Sequence, residues 1–320
     1  MGYNRRIKIR REVQCLMDAM IQSLVQANFA PERIAPQASM AQYTTLRIGG
    51  PAEVMVNIHS ADEIAVALRA AKQADAPVTI IGNGSNLLVR DGGIRGLVLR
   101  ISGGLNAIRR EGDCLLVQAG ASLAAVAAFA RDEGLSGMAE LGGIPGTVGG
   151  GVLMNAGAYG AELAQLVTQA EGVSLSDGRR VIYPADRLDF AYRHSALMDA
   201  GVVITQATLA LTPGDPEAIR ARMEECAKAR REKQPLTLPS AGSTFKRPEG
   251  HFAAKLIDDC GLRGLTVGGA QVSEKHAGFI VNIGGATARD MLELMRQVEQ
   301  RVFEQTGVQL EPEVRILGED

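Results

Sequence analysis

The 320-residue chain has no tryptophan, and aromatic residues make up only 4% of it. A flat ligand must therefore be held mainly by aliphatic side chains and bare backbone rather than by aromatic stacking. The four cysteines, Cys15, Cys114, Cys226 and Cys260, form no CxxC pair. That pattern argues against a disulfide framework and suits a reducing compartment. His59, His194, His251 and His276 show no HxxxH or similar spacing, so no protein-ligated metal is expected. The formal net charge is only −2, without the concentrated basic surface that a nucleic-acid binder needs. No apolar run approaches the roughly 20 residues that cross a bilayer. The basic start from Arg5 to Arg11 precedes Val13, Leu16, Met17, Met20, Ile21, Leu24 and Val25. Those residues mark one helical face, broken by Gln14, Asp18 and Gln22, and not a signal-peptide core. The expectation is a soluble, cytoplasmic chain.

Apolar residues at 46% and charged residues at 22% are enough for a substantial core, and the length points to two or three compact units. Residues 1–42 read as a helical extension ending in a loop with Pro31 and Pro36. From Tyr43, short apolar runs alternate with glycine turns and helical segments. Ala61–Ala74 has Ile64, Ala65, Leu68 and Ala71 on one face. Pro77–Ile81, Leu97–Ile101 and Cys114–Val117 read as strands, and Ser122 starts a helix that stops at Gly134. The breaker Thr212-Pro213-Gly214-Asp215-Pro216 closes this unit near residue 214. Beyond it, a charged helix to Lys233 turns Ile219, Met223 and Ala227 inward. A second helix opens on a capping box, Thr287 to Asp290, and ends at Gly307. The reading is an α+β protein: an extension over 1–42, a unit over 43–214 and a smaller unit over 215–320.

The 37 glycines are the conspicuous excess. Gly82-Asn83-Gly84-Ser85-Asn86 follows a strand directly, and its unshielded amides form a nest suited to a pyrophosphate. It is not a Rossmann fingerprint, because Leu87 stands where a third glycine belongs. A second cluster runs from Gly142 through Pro145, Gly146 and Gly150 to Asn155 and Gly157. So much backbone freedom is costly to order, and a wall against a large flat ligand would explain it.

Together these clusters resemble the flavin-binding domain of the vanillyl-alcohol-oxidase (PCMH-type) superfamily, and more closely the UDP-N-acetylenolpyruvoylglucosamine reductase family. Tyr43-Thr44-Thr45-Leu46-Arg47-Ile48-Gly49-Gly50 resembles that family's entry into the FAD domain, although an aromatic is usual where Leu46 stands. The similarity runs from about residue 40 to residue 317. It implies noncovalent FAD lined by Gly82, Asn83, Gly84, Ser85, Asn86, Pro145, Gly146, Gly150, Asn155 and Gly157. NADPH would be the reductant, and the UDP-N-acetylglucosamine enolpyruvyl ether would be the substrate. No nucleic acid, membrane or obligate protein partner is implied.

Reducing a carbon–carbon double bond beside a carboxylate needs a hydride source, a cation to stabilise developing negative charge, and a proton donor. By resemblance, Arg193 in Phe190-Ala191-Tyr192-Arg193-His194-Ser195 is the cation. Ser243 in Ala241-Gly242-Ser243-Thr244-Phe245-Lys246-Arg247-Pro248 is the proton donor, with Ser240 and Thr244 as neighbouring competitors. Glu313, rather than Glu311, is the third member in the closing Leu310–Gly318 motif. Tyr192, Lys233 and Lys275 match substrate-binding positions, and the polar middle of Gly268–Asn282 is a candidate to face the uridyl group. One branch of the family inserts a lid tyrosine between the arginine and serine motifs. Here all five tyrosines (3, 43, 159, 183 and 192) precede Arg193, so the chain resembles the shorter branch. Two other readings stay open at this level: an FAD oxidase of the wider superfamily, and a nucleotide-binding module without turnover.

Overall fold

The computed structural model describes residues 17–320; the basic arm, Val13 and Leu16 lie outside them. Residues 17–26 are helical, and Met17, Met20 and Leu24 are buried in the main core. Past that helix the chain differs from the sequence reading. Ile34–Ser39 is a strand, paired antiparallel with Pro51–Asn57. Residues 34–42 therefore belong to the first sheet, and an extension reaching to 42 would cut through that sheet's edge. The strand escapes a hydrophobic-pattern search because only Ile34 and Ala38 are buried, while Pro36 and Gln37 face outward at the sheet edge, where proline is tolerated.

Two sheets, which form the first unit, and a smaller second unit make up the rest. The first sheet has the order Ile34–Ser39, Pro51–Asn57, Ile94–Arg100, Val78–Ile81, with its last three strands parallel. Helix Ala61–Gln73 links two of them, capped by Ser60 and burying Ile64, Ala67, Ala70 and Ala71. The second sheet is antiparallel throughout: Arg180–Pro184, Val167–Ser174, Val202–Ala210, Cys114–Gln118, Ile108–Glu111. Helix Leu123–Asp132 belongs to this unit, capped by Ser122 as its sequence implied. Both sheets feed one apolar core.

The second unit has its own core, built on helices Ala253–Asp259 and Ala288–Thr306 and three short strands. Helix Ala288–Thr306 has the expected reciprocal Thr287–Asp290 capping box and ends on Gly307 at φ 72°. Its start is also held from the first unit: Asp91 accepts hydrogen bonds from the Ala288 and Arg289 amides at 2.9 and 3.0 Å. Leu46, Ile48 and Leu88 project from the first unit into this core, and Leu87–Val89 pairs in parallel with Arg315–Leu317. The units are thus stitched at the point where the first glycine loop ends. Helix Pro216–Lys233 follows the breaker, with Asp215 as its cap, but Met223 packs back on the first core. The covalent boundary near 214 and the packing boundary do not coincide.

Candidate functional site

The site grows out of three turns that the fold forces together. Tyr192 and Arg193 form the tip of a tight hairpin closed by the Ala191 and His194 backbones. Arg193 sits at φ 56°, a conformation that costs a side-chain-bearing residue energy and persists only when its surroundings impose it. They do so from both sides. Fully buried Ser195 donates to the Leu153 carbonyl at 2.8 Å, and Asn155 Nδ2 donates to the Ala191 carbonyl at 3.0 Å. Asn155 Oδ1 also accepts from the Ala164 amide at 2.9 Å, and the residue is 1% exposed. Its side chain therefore braces the Arg193 turn. That bracing role is additional to the cofactor contact that the resemblance implies for Asn155.

Glu313 is the junction. Its amide donates to the Thr244 carbonyl at 2.8 Å, next to Ser243, and its carbonyl accepts from Asn86 Nδ2 at 3.0 Å. Its carboxylate accepts from Arg193 Nε at 2.5 Å. One residue thereby links the serine loop, the first glycine loop and the arginine turn. Burial pushes the Glu313 carboxyl above the usual carboxylate range, against the opposing pull of Arg193 and, more weakly, Lys246. Glu311, two residues earlier, instead pairs with Lys246 at the exposed surface. Thr244 is buried and its hydroxyl accepts from the Ile280 amide at 3.0 Å, whereas Ser243 is exposed and its hydroxyl has no partner among the described residues. Of the two adjacent hydroxyls, only that of Ser243 is available to a ligand.

The glycine loops lie against each other. Asn83 Nδ2 donates to the Pro145 carbonyl at 3.4 Å. Gly84 stands at φ 62°, and a Cβ there would fall 2.0 Å from the Tyr43 carbonyl oxygen. Gly82 has no positive φ; it is confined instead by Thr147, whose Oγ1 would be 2.5 Å from an added Cβ. Gly84→Ala should therefore lower the melting temperature by several degrees and reduce flavin content, since such strain alone costs about 1–3 kcal/mol. A wild-type melting curve and flavin absorbance in that variant would contradict this account of the loop.

Gly146 and Gly150 behave differently. An added Cβ would meet nothing nearer than 3.7 and 3.5 Å, so no internal contact demands glycine at either position. Bare backbone without an internal reason suits a large ligand lying against it. Arg230, on the last turn of helix Pro216–Lys233, adds charge: its Nη1 would be 2.9 Å from a Cβ on Gly143. Burial pushes the Arg230 pKa down, and no carboxylate among the described residues pairs with it. A half-buried cation against the Gly143 backbone offers charge to an anionic ligand of this glycine stretch. The burial of Arg230 against Gly143 has no signature in the local sequence pattern. Of the substrate candidates, Tyr192 is 50% exposed at the hairpin tip, and Lys233 is exposed. Lys275 Nζ donates to the Arg231 carbonyl at 2.6 Å, which brings these two lysines to the same end of that helix.

Comparison with known proteins accounts for both halves. Residues 52–182 match the model of an FAD binding domain, and residues 234–317 match that of the UDP-N-acetylenolpyruvoylglucosamine reductase C-terminal domain. The UDP-N-acetylenolpyruvoylglucosamine reductase of Pediococcus pentosaceus is 47% identical, over 94% of this chain and 99% of that protein. The one from Agathobacter rectalis is 49% identical, over 88% and 92%. The crystal structure of the Thermus caldophilus enzyme superposes with a TM-score of 0.76 at 38% identity, over 88% of this chain and 97% of that one.

Proposed function

The chain belongs to the UDP-N-acetylenolpyruvoylglucosamine reductase family, and from that membership we propose that Arg193, Ser243 and Glu313 carry its reaction. The protein is an FAD-dependent oxidoreductase that reduces the UDP-N-acetylglucosamine enolpyruvyl ether to UDP-N-acetylmuramate, a peptidoglycan precursor, with NADPH as electron source. Residues of the first unit, Gly82 to Asn86 and Pro145 to Gly157, would hold the cofactor, with Arg230 balancing its phosphates. The second unit would complete the substrate site. No helix among the described residues is long and apolar enough to cross a membrane, and a cytoplasmic site of action fits a nucleotide-sugar substrate.

When bound, FAD supplies hydride transfer, from NADPH to the enolpyruvyl C3. The protein's task is to make C3 electrophilic and to finish the reaction at C2. Arg193 grips the substrate carboxylate through its fixed, always-charged fork and stabilises the enolate that forms when C3 is attacked. Its strained turn fixes the guanidinium in advance, so little reorganisation is needed as charge develops. Ser243 then delivers a proton to C2. A hydroxyl is a weak acid, but the acceptor is a strongly basic carbon, and Lys246 two residues after Thr244 can favour the alkoxide. Glu313, whose carboxyl burial pushes above the usual carboxylate range, hydrogen-bonds the enolic acid beside Arg193.

The observation that best supports this reading is the triple tie of Glu313 to the Ser243 loop, the Asn86 loop and Arg193. The test is spectroscopic. Purified protein should be yellow, bleach with NADPH without oxygen, and recolour on adding the enolpyruvyl ether. Recolouring with oxygen alone would favour an oxidase, and a colourless protein that binds no FAD would favour a module without turnover. A separate expectation concerns the cofactor charge. Arg230→Met should weaken FAD binding about 10- to 100-fold, the range for a lost charge-assisted hydrogen bond. Titrating deflavinated protein with FAD by flavin fluorescence measures this, and an unchanged Kd would remove Arg230 from the cofactor site.

A further inference from the structure

The Ser243 hydroxyl has no hydrogen bond of its own among the described residues, so its place is set by the two ends of the short stretch that carries it. Gly242, just before it, stands at φ 79° with open space where a Cβ would be. Such a stretch can swing unless both ends are held. One end is Thr244, whose amide donates to the Gly278 carbonyl at 2.9 Å and whose carbonyl accepts from the Glu313 amide at 2.8 Å. Glu313 is tied in turn to Asn86 of the first glycine loop. The other end is Ser240. Its backbone bridges to Val281 within the second unit, and its carbonyl accepts from Thr45 Oγ1 at 2.6 Å. The Thr45 amide donates to the Gly84 carbonyl at 3.2 Å, in that same glycine loop.

We infer that Thr45 is a positioning residue for the proton transfer: its hydroxyl ties the Ser240 end of the serine stretch to the cofactor loop and so fixes where the Ser243 hydroxyl stands. The inference rests on Ser243 as proton donor, the reading proposed above. Both ends of the stretch lead back to one loop, through Glu313 and Asn86 at one end and through Thr45 at the other. Residues 240–244 are thus registered against the loop that would hold the flavin, and not only against their own unit. The hydroxyl is not needed to keep the units together. Leu46 and Ile48 are buried in the second core, Asn282 Nδ2 donates to the Leu46 carbonyl at 3.1 Å, and Leu87–Val89 pairs with Arg315–Leu317. Those ties join the units, whereas the Thr45 bond holds the loop. A misplacement of about 1 Å at a reacting group can cost on the order of 100-fold in rate, which gives one hydrogen bond here leverage on turnover. Valine at this position would keep the branched shape and the amide that reaches Gly84, and would remove only the bond to Ser240.

Thr45→Val, assayed as FAD-loaded enzyme with each half-reaction followed separately without oxygen, tests the inference. Bleaching by NADPH should stay within about twofold of wild type, with flavin content and melting temperature little changed. Recolouring by saturating enolpyruvyl ether should slow about 10- to 100-fold, while the substrate concentration for half-maximal rate moves less than about threefold. Thr45→Ser, which restores the hydroxyl, should recover most of the rate. The decisive readout is the Ser243→Ala background. With the proton donor already gone, adding Thr45→Val should slow recolouring no further, whereas a merely structural hydroxyl would slow both backgrounds alike. Recolouring within about twofold of wild type in Thr45→Val would overturn the inference. So would equal slowing with and without Ser243, or loss of flavin from Thr45→Val. Failure of the catalytic reading would look different, because Ser243→Ala itself would then recolour at the wild-type rate.

Discussion

Ser243→Ala should lower kcat with the enolpyruvyl ether by about 10²–10⁴-fold, the usual contribution of a positioned proton donor. The same variant should still be bleached by NADPH at a rate near wild type. The split follows from where the hydroxyl sits. Ser243 lies in the second unit, exposed and without a partner among the described residues, one residue from the carbonyl that receives the Glu313 amide. It has no part in holding the glycine loops, so cofactor binding and its reduction should survive. Without the hydroxyl, the carbanion at C2 has no fixed donor and returns its hydride before water can protonate it. Thr244 cannot substitute, since its oxygen is buried and engaged with the Ile280 amide. Anaerobic stopped-flow absorbance separates the two half-reactions. Substrate-driven recolouring at the wild-type rate would remove Ser243 from its role.

Arg193→Met should cost about 10²–10³-fold in kcat/KM, the range for removing one donor that stabilises an oxyanion. The change should also move the pH profile. Burial already holds the Glu313 proton to higher pH than a free carboxyl would, and Arg193 is the main group opposing it. An acid whose folded pKa is raised stabilises the fold below its unfolded pKa and loses that contribution as pH rises through the folded value. Activity that depends on the protonated form falls over the same interval. With Arg193 gone, the opposing pull is gone, so the fall in the substrate half-reaction should shift to higher pH. In Glu313→Gln this limb should vanish. Rates of recolouring across the pH range measure both, and a limb that stays in place in Arg193→Met would contradict the coupling.

The legibility of the chain tracked how local each determinant is. The capping box at Thr287 and the left-handed stop at Gly307 are decided by residues within one turn, and the structure has both. The same holds for Ser60 and Ser122 as caps. The edge strand Ile34–Ser39 is not legible locally, because its partner strand, not its own pattern, makes it a strand. Helix Pro216–Lys233 is legible as a helix, yet its allegiance to the first core depends on Met223 meeting residues far back in the chain. At the site, family resemblance singled out Arg193, Ser243 and Glu313, whereas periodicity and composition could not. The contacts that organise these residues were invisible. The sequence offers Asn155 only as a cofactor-lining candidate, and only the fold reveals that its side chain braces the Arg193 turn. Arg230 likewise acquires meaning from what lies across space from it.

A double-mutant cycle on Ser243 and Glu313, read as the rate at which substrate recolours prereduced enzyme, tests most directly whether groups so distant in sequence act on a single bound molecule. Residues that serve one intermediate lose little more together than the worse of the two loses alone. Ser243→Ala/Glu313→Gln should therefore recolour about as slowly as Ser243→Ala. A double variant slowed by the full product of the two separate factors would mean that they act independently, and the account would be wrong.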